Sequence, residues 1–481
     1  MDICVGTLLG LAIGNALGAP FEGMKDGYIR QLAGEVTGYT DSTTLLPDRP
    51  GKWRLKGLYG DATQQALAIA DILAIHGHAD SAALAELYVR LAQEGPRDLP
   101  LGAHRAVDPF FRRTVQTLAD APDPLTCGHS TPNNGAATRI APVGLYFAHD
   151  EQALARATLE LSLLTHHDPR SIAAALAVAW TLARLTQTAT HGQRPDSPAL
   201  ALEIAQELPG WVREWEDVLI QEYSGYLAET HLESAHQFSN ALKPLATLLR
   251  EGNEQIAHAT LLAQANAATP EHPIAQLHDA FAPASVVAAL YRALSARQFA
   301  DDLLAGIQGG GDTGHVGALT GALLGARFGE DSIPKAWIAG LLNAQQVRLR
   351  AQALRDREVD WAEWEDYIEM EKALTEREIN FLAEAQKTHH KAIEKRQQHQ
   401  TERRERAAKA AAKKPPEYLP FAPPPQVWLR GGAPSTPAIL PDPLDPVQAK
   451  KDRAKRGRKR IAWKDERRRL NKNGDAEPEE D

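Results

Sequence analysis

The densest group of reactive residues in this chain is the run Gly309-Gly310-Gly311-Asp312-Thr313-Gly314-His315-Val316-Gly317-Ala318. Glycines such as Gly310 and Gly311 can take positive φ angles, so the backbone here could approach a ligand or an ion closely. Asp312 offers a hard oxygen ligand, Thr313 a hydroxyl for metal, water or sugar, and His315 an imidazole. Oxygen donors suit magnesium, whereas imidazole suits zinc or manganese better. Taken alone, the run reads first as a capped turn at a helix entry.

Other segments carry groups of the same kind, each with a plainer reading beside the chemical one. Glu22, just after Pro20, is a candidate general acid/base or a surface residue after a helix end. Asp61 opens an Ala- and Leu-rich run as a candidate ligand or a first-turn cap. Asn133, Asn134 and Gly135 could hydrogen-bond ribose hydroxyls or a phosphate, or simply make a loop. His166 could contact ribose or pyrophosphate, or cap the helix that follows. Arg139 could face phosphate or form a structural ion pair.

The elements that must position these groups are helices. From residue 1 to about 345 the chain is rich in Ala and Leu, β-branched alternation is scarce, and Gly, Pro, Asn and Asp mark the connections. An all-α, compact multi-helix domain over residues 1–344 is predicted. Gly6, Gly10, Gly14 and Gly18 form one stripe on the first helix, which predicts close helix–helix approach. No apolar run long enough for a membrane span is evident, because residues 3–19 carry four glycines and an Asn. No signal peptide is recognised, and two cysteines, Cys4 and Cys127, are too few for a disulfide framework. A reducing cytoplasm is expected.

Residues 345–414 predict one long charged helix, with Trp361, Trp364 and Ile368 on a shared face. Residues 415–481 predict a Pro-rich linker and a disordered basic tail. Residues 401–481 hold 20 Lys+Arg against 13 Asp+Glu, so the tail is basic and the body before it acidic. The tail offers charge for an acidic partner or nucleic acid, without aromatic interleaving.

Five segments together resemble the ADP-ribosylglycohydrolase family, in the family's order and over about residues 1–343. They are the opening from Gly10 to Glu22, Gly60-Asp61-Ala62-Thr63-Gln64, Asn133 to Pro142, Thr165-His166-His167-Asp168-Pro169, and the turn around Asp312. The resemblance implies an all-α domain that hydrolyses the glycosidic bond between ADP-ribose and an acceptor. It also implies two magnesium ions held by carboxylates and threonine hydroxyls.

On that pattern Glu22 is the catalytic acid/base, with Asp61 and Asp312 as metal ligands and catalytic carboxylates. Asn133, Asn134, Gly135, His166, Gly310, Gly311 and Thr313 would bind the substrate. Several positions depart from it. Asn15 and Ala62 stand where the family has Asp, Gly60 where it has Thr, Gly314 where it has Asp, and His315 where it has Thr. The expectation is therefore a reduced or altered centre with one magnesium ion rather than two, or manganese or zinc recruited through His315. The expected partner is an ADP-ribosylated substrate or an ADP-ribose-like small molecule. Two functions follow: a glycosidic-bond hydrolase, or a catalytically impaired pseudoenzyme that still binds the nucleotide.

Overall fold

The computed structural model describes residues 2–97, 99–228, 232–270 and 273–413. The expectations for residues 415–481, including the basic tail and its partners, lie outside the described residues. The chain divides into two units, residues 1–403 and residues 404–481. The described part of the second is the end of helix Tyr367–Lys413.

The first unit is all-α. Its only described strands are the two-residue segments Met24–Lys25 and Gly310–Gly311, paired antiparallel. Helix Ile3–Gly18 is buried on every side, as expected of a helix that is apolar all round. It packs antiparallel on helix Thr313–Phe328 along a seam of glycines. Gly6 faces Gly325, Gly10 faces Gly321, and Gly14 faces Gly317. A Cβ on Gly10, Gly14, Gly317 or Gly321 would land on the partner's backbone carbonyl, so only hydrogen fits there. The predicted close approach is therefore backbone against backbone. It sets Asn15, near the end of one helix, against Asp312 and Gly314 at the start of the other.

Two helices, residues 3–21 and Pro169–Thr190, are long and apolar enough to cross a membrane, contrary to the reading that no run is. Both are instead mostly buried inside the protein. Their Gly and Ala content lowers apparent hydropathy but lets neighbours pack tightly.

The charged stretch from residue 345 is two helices rather than one. Helix Ala344–Asp356 ends where Arg357 turns left-handed, at φ 59°, with its N–H donating to the Ala353 carbonyl at 2.9 Å. Asp360 and Asp366 then accept backbone N–H bonds that end one turn and start the next helix. Trp361 and Trp364 thus lie in the turn and share no helix face with Ile368. Trp361 is exposed, Trp364 stacks on Arg350, and Ile368 is buried.

Helix Tyr367–Lys413 roots in the body through a buried ionic network. Glu371 pairs with Arg105 at 2.6 Å and accepts bonds from the Tyr59 hydroxyl and the Gln64 amide at 2.7 and 2.8 Å. Arg350 pairs with Asp71 at 2.6 Å. Tyr59, Gln64 and Asp71 flank or belong to helix Asp61–His76, whose first residue faces the candidate site.

Candidate active site

The site is assembled where the glycine seam ends. Helix Ile3–Gly18 passes into a short turn, Ala19–Phe21, with Pro20 inside it. After Glu22, Gly23 reverses the chain at φ 72°, and Met24–Lys25 pairs with Gly310–Gly311. Gly310 and Gly311 both have positive φ, and a side chain on either would strike the backbone of Lys25 or of His278. The Gly23 N–H closes this clip on the Gly311 carbonyl at 2.8 Å. Glu22 is thereby held over the start of helix Thr313–Phe328, where the Gly314 N–H donates to its Oε2 at 2.8 Å. This helix N-terminus favours the ionised form of the carboxyl, against the burial and the Asp312 charge described below.

Asp312 precedes that helix but its carboxylate does not cap it. It accepts instead from His315 Nδ1 at 2.6 Å and from Asn134 Nδ2 at 2.8 Å. Asp61 opens helix Asp61–His76, accepts the Ala62 N–H at 2.9 Å, and lies 3.4 Å from His315 Nε2. Asn15 joins all three elements. Its Oδ1 accepts from the Gly60 N–H and the Thr63 hydroxyl, and its Nδ2 donates to the Gly314 carbonyl at 3.1 Å. The loop at Asn133-Asn134 is held by the Asn134 N–H donating to Ala280 and the Ala282 N–H donating to Pro132, both at 2.8 Å.

These groups meet at one cavity of about 270 Å³. Glu22, Asp61, Asp312, His315, Asn133, Asn134 and Gly135 all line it. Four expected substrate-binding residues do not. Gly310 and Gly311 shape the clip behind it, and the Thr313 hydroxyl is buried, donating to the Gly18 carbonyl at 2.8 Å. His166 bonds Thr165 Oγ1 through Nδ1 and Asn133 Oδ1 through Nε2, each at 2.7 Å. Because Asn133 Oδ1 can only accept, Nε2 carries the proton, and the Thr165 hydroxyl, which also accepts from Arg139, donates to Nδ1. Burial, then the Arg139 charge, holds His166 neutral, well below the usual histidine range. Its evident work is to orient Asn133.

Arg54 and Asp108 also line the cavity. Arg54 follows a Pro-Gly-Lys-Trp loop with no periodicity to flag it. Asp108 stands before Pro109 and caps a helix through the Phe110 and Phe111 N–H groups, so its sequence signal is purely structural.

The carboxyls differ in charge. Burial, and then the Asp312 charge, push Glu22 up to about 8, so it holds its proton at neutral pH. Asp312 is held below the usual carboxylate range: burial opposes its charge, but His315 and the Asn134 amide outweigh it. His315 is raised well above the usual histidine range, because Asp312 and Asp61 together outweigh the burial that disfavours its charge. One protonated acid beside the ionised Asp312 is a division suited to acid/base chemistry.

The donor set does not fit a two-magnesium centre. Magnesium asks for near-octahedral oxygen coordination. Both acceptor positions of the Asn15 amide oxygen are taken, the Thr313 hydroxyl is committed to Gly18, and Gly60, Ala62 and Gly314 bring no side-chain oxygen. Among the described residues no group of three or more His, Cys, Asp or Glu is arranged to hold a metal ion.

Comparison with known proteins places this architecture. The family model described as ADP-ribosylglycohydrolase matches residues 1–364. An uncharacterized protein of Archaeoglobus fulgidus is 26% identical over 69% of this chain and 90% of its own length. The ADP-ribosyl-[dinitrogen reductase] glycohydrolase of Rhodospirillum rubrum is 26% identical over 73% of this chain and 94% of its own length. An ADP-ribosylhydrolase of Bos taurus is 24% identical over 73% of this chain and 91% of its own length. Nearly the whole of each relative is thus matched by about three-quarters of this chain.

Proposed function

Because this chain belongs to the ADP-ribosylglycohydrolase family, we propose that its cavity cleaves the glycosidic bond joining ADP-ribose, or a related nucleotide sugar, to an acceptor. The observation that carries the reading is Glu22, protonated and held by the Gly314 N–H in one cavity with Asp61 and Asp312. A volume of about 270 Å³ is at the low end for a ligand pocket, so the reacting ribose sits inside and the adenosine end at the mouth. Asn133 and Asn134 face the ribose hydroxyls, and Arg54 faces the diphosphate.

In this reading Glu22 gives its proton to the acceptor atom as the bond from that atom to the anomeric carbon breaks. Asp61 and Asp312 stabilise the positive charge that develops on the ribose. A water oxygen then bonds to the anomeric carbon and returns one proton to Glu22. The free acceptor and ADP-ribose are the products.

A second reading is favoured by the missing ligands at positions 15, 62 and 314: a catalytically impaired protein that binds ADP-ribose without turnover. Glu22→Gln separates the two. With an ADP-ribosylated peptide as substrate, the variant is expected to lose about 100-fold or more in kcat and to bind ADP-ribose as before. Wild-type binding without product release would establish the second reading. Absence of ADP-ribose binding would overturn both.

A further inference from the structure

We propose that His315 takes the place of the family's divalent cations, its ring bridging Asp61 and Asp312, so that the cavity binds its ligand without a divalent metal. The inference uses the reading above only in naming ADP-ribose as the ligand.

The geometry carries it. The two nitrogens of one rigid ring face the two surviving carboxylates, Nδ1 at 2.6 Å from Asp312 Oδ1 and Nε2 at 3.4 Å from Asp61 Oδ1. A cation shared by those carboxylates would have to lie between them, and the imidazole fills that space. Nδ1 is hydrogen-bonded to Asp312, and Nε2 lies at ion-pair distance from Asp61. The other Asp312 oxygen accepts from Asn134 Nδ2 at 2.8 Å, so each oxygen of this carboxylate already has a partner within the protein.

Position 314 supplies an independent observation. A Cβ there would come within 3.1 Å of Glu22 Oε2 and 3.5 Å of Asn15 Nδ2. A side chain at 314 would crowd the Glu22 carboxyl, which uses the Gly314 N–H. Asn15 completes the exchange, since its Nδ2 donates to the Gly314 carbonyl, a bond that an ionised Asp could not make. The substitutions at 15, 314 and 315 therefore form one consistent network.

The test uses the full chain stripped of metal with EDTA. Manganese and magnesium chloride are titrated into wild type, His315→Ala and His315→Asp by calorimetry, with electron paramagnetic resonance for manganese and circular dichroism for folding. ADP-ribose is titrated separately, with EDTA and with millimolar magnesium. Wild type is expected to show no saturable metal binding, and its ADP-ribose affinity to change less than about twofold with metal. His315→Asp, which sets a further carboxylate beside Asp61 and Asp312, is expected to gain manganese binding near one ion per chain. Saturable micromolar metal binding by wild type, or a tenfold or larger rise in ADP-ribose affinity with magnesium, overturns the proposal. So does a folded His315→Asp that takes up no manganese. If ADP-ribose binds in no condition, the functional reading fails, while the metal titrations still decide the role of His315.

Discussion

Each ionisable group in the cavity owes its state to its neighbours, and single substitutions follow from those contacts. Asn15→Asp restores the family residue, yet it should destabilise this chain by roughly 1–3 kcal/mol in urea unfolding, because the Gly314 carbonyl loses its donor. Arg54→Ala should weaken ADP-ribose binding about tenfold, read by calorimetry, while leaving the fold intact. An unchanged affinity would remove Arg54 from the diphosphate site. Glu22, Asp61, Asp312 and the Asn133-Asn134-Gly135 loop were legible in sequence because each sits at a helix start or a tight turn with a fixed neighbour pattern. The destinations of the Thr313 hydroxyl and the His166 nitrogens were not legible, since both bond to residues distant in sequence or already engaged elsewhere. Arg54 was hidden because loop residues carry no period that points inward.

Among the elements, the glycine seam is the most exacting. Gly14→Ala or Gly317→Ala should cost about 3 kcal/mol or more in denaturant unfolding, since the added methyl meets backbone that cannot move aside. Gly27→Ala, in helix Asp26–Ala33 with open space around its Cβ, should be neutral or stabilising by about 0.4–1 kcal/mol. Equal effects at both places would mean that the seam is looser than described. Helix packing also creates a pH dependence at His104, whose Nε2–H donates to the Tyr88 carbonyl at 2.9 Å. Burial, chiefly, holds it down to about 4, so the unfolded chain takes up its proton first as pH falls through about 6.5. Its contribution to stability is complete above that pH and is lost as pH falls toward 4. His104→Gln should therefore shrink the stability difference between pH 7 and pH 5 by about 2 kcal/mol, measured by urea unfolding at each pH. The glycine stripe announced the seam because a period of four on a helix marks one face. The break at residues 357–366 went unread because Arg357 in a left-handed conformation has no sequence signature.

For the molecule as a whole, the long charged helix is an integral part of the body at its root. Glu371→Ala would leave Arg105 buried without its counter-ion and should cost about 3–5 kcal/mol, visible as a lower denaturation midpoint. An unshifted midpoint would show the root to be peripheral. Composition suggested a separate segment there because charged residues dominate it, and composition does not register the few that turn inward. The glycine seam has a last consequence, for heredity. Its two helices lie some three hundred positions apart in the chain, yet each glycine answers one on the partner. Inserting a single residue within either helix would turn everything beyond it by about 100° and set side chains against backbone. Loops between them can lengthen or shorten through descent, but these two helices can change only in step, as a single inherited part.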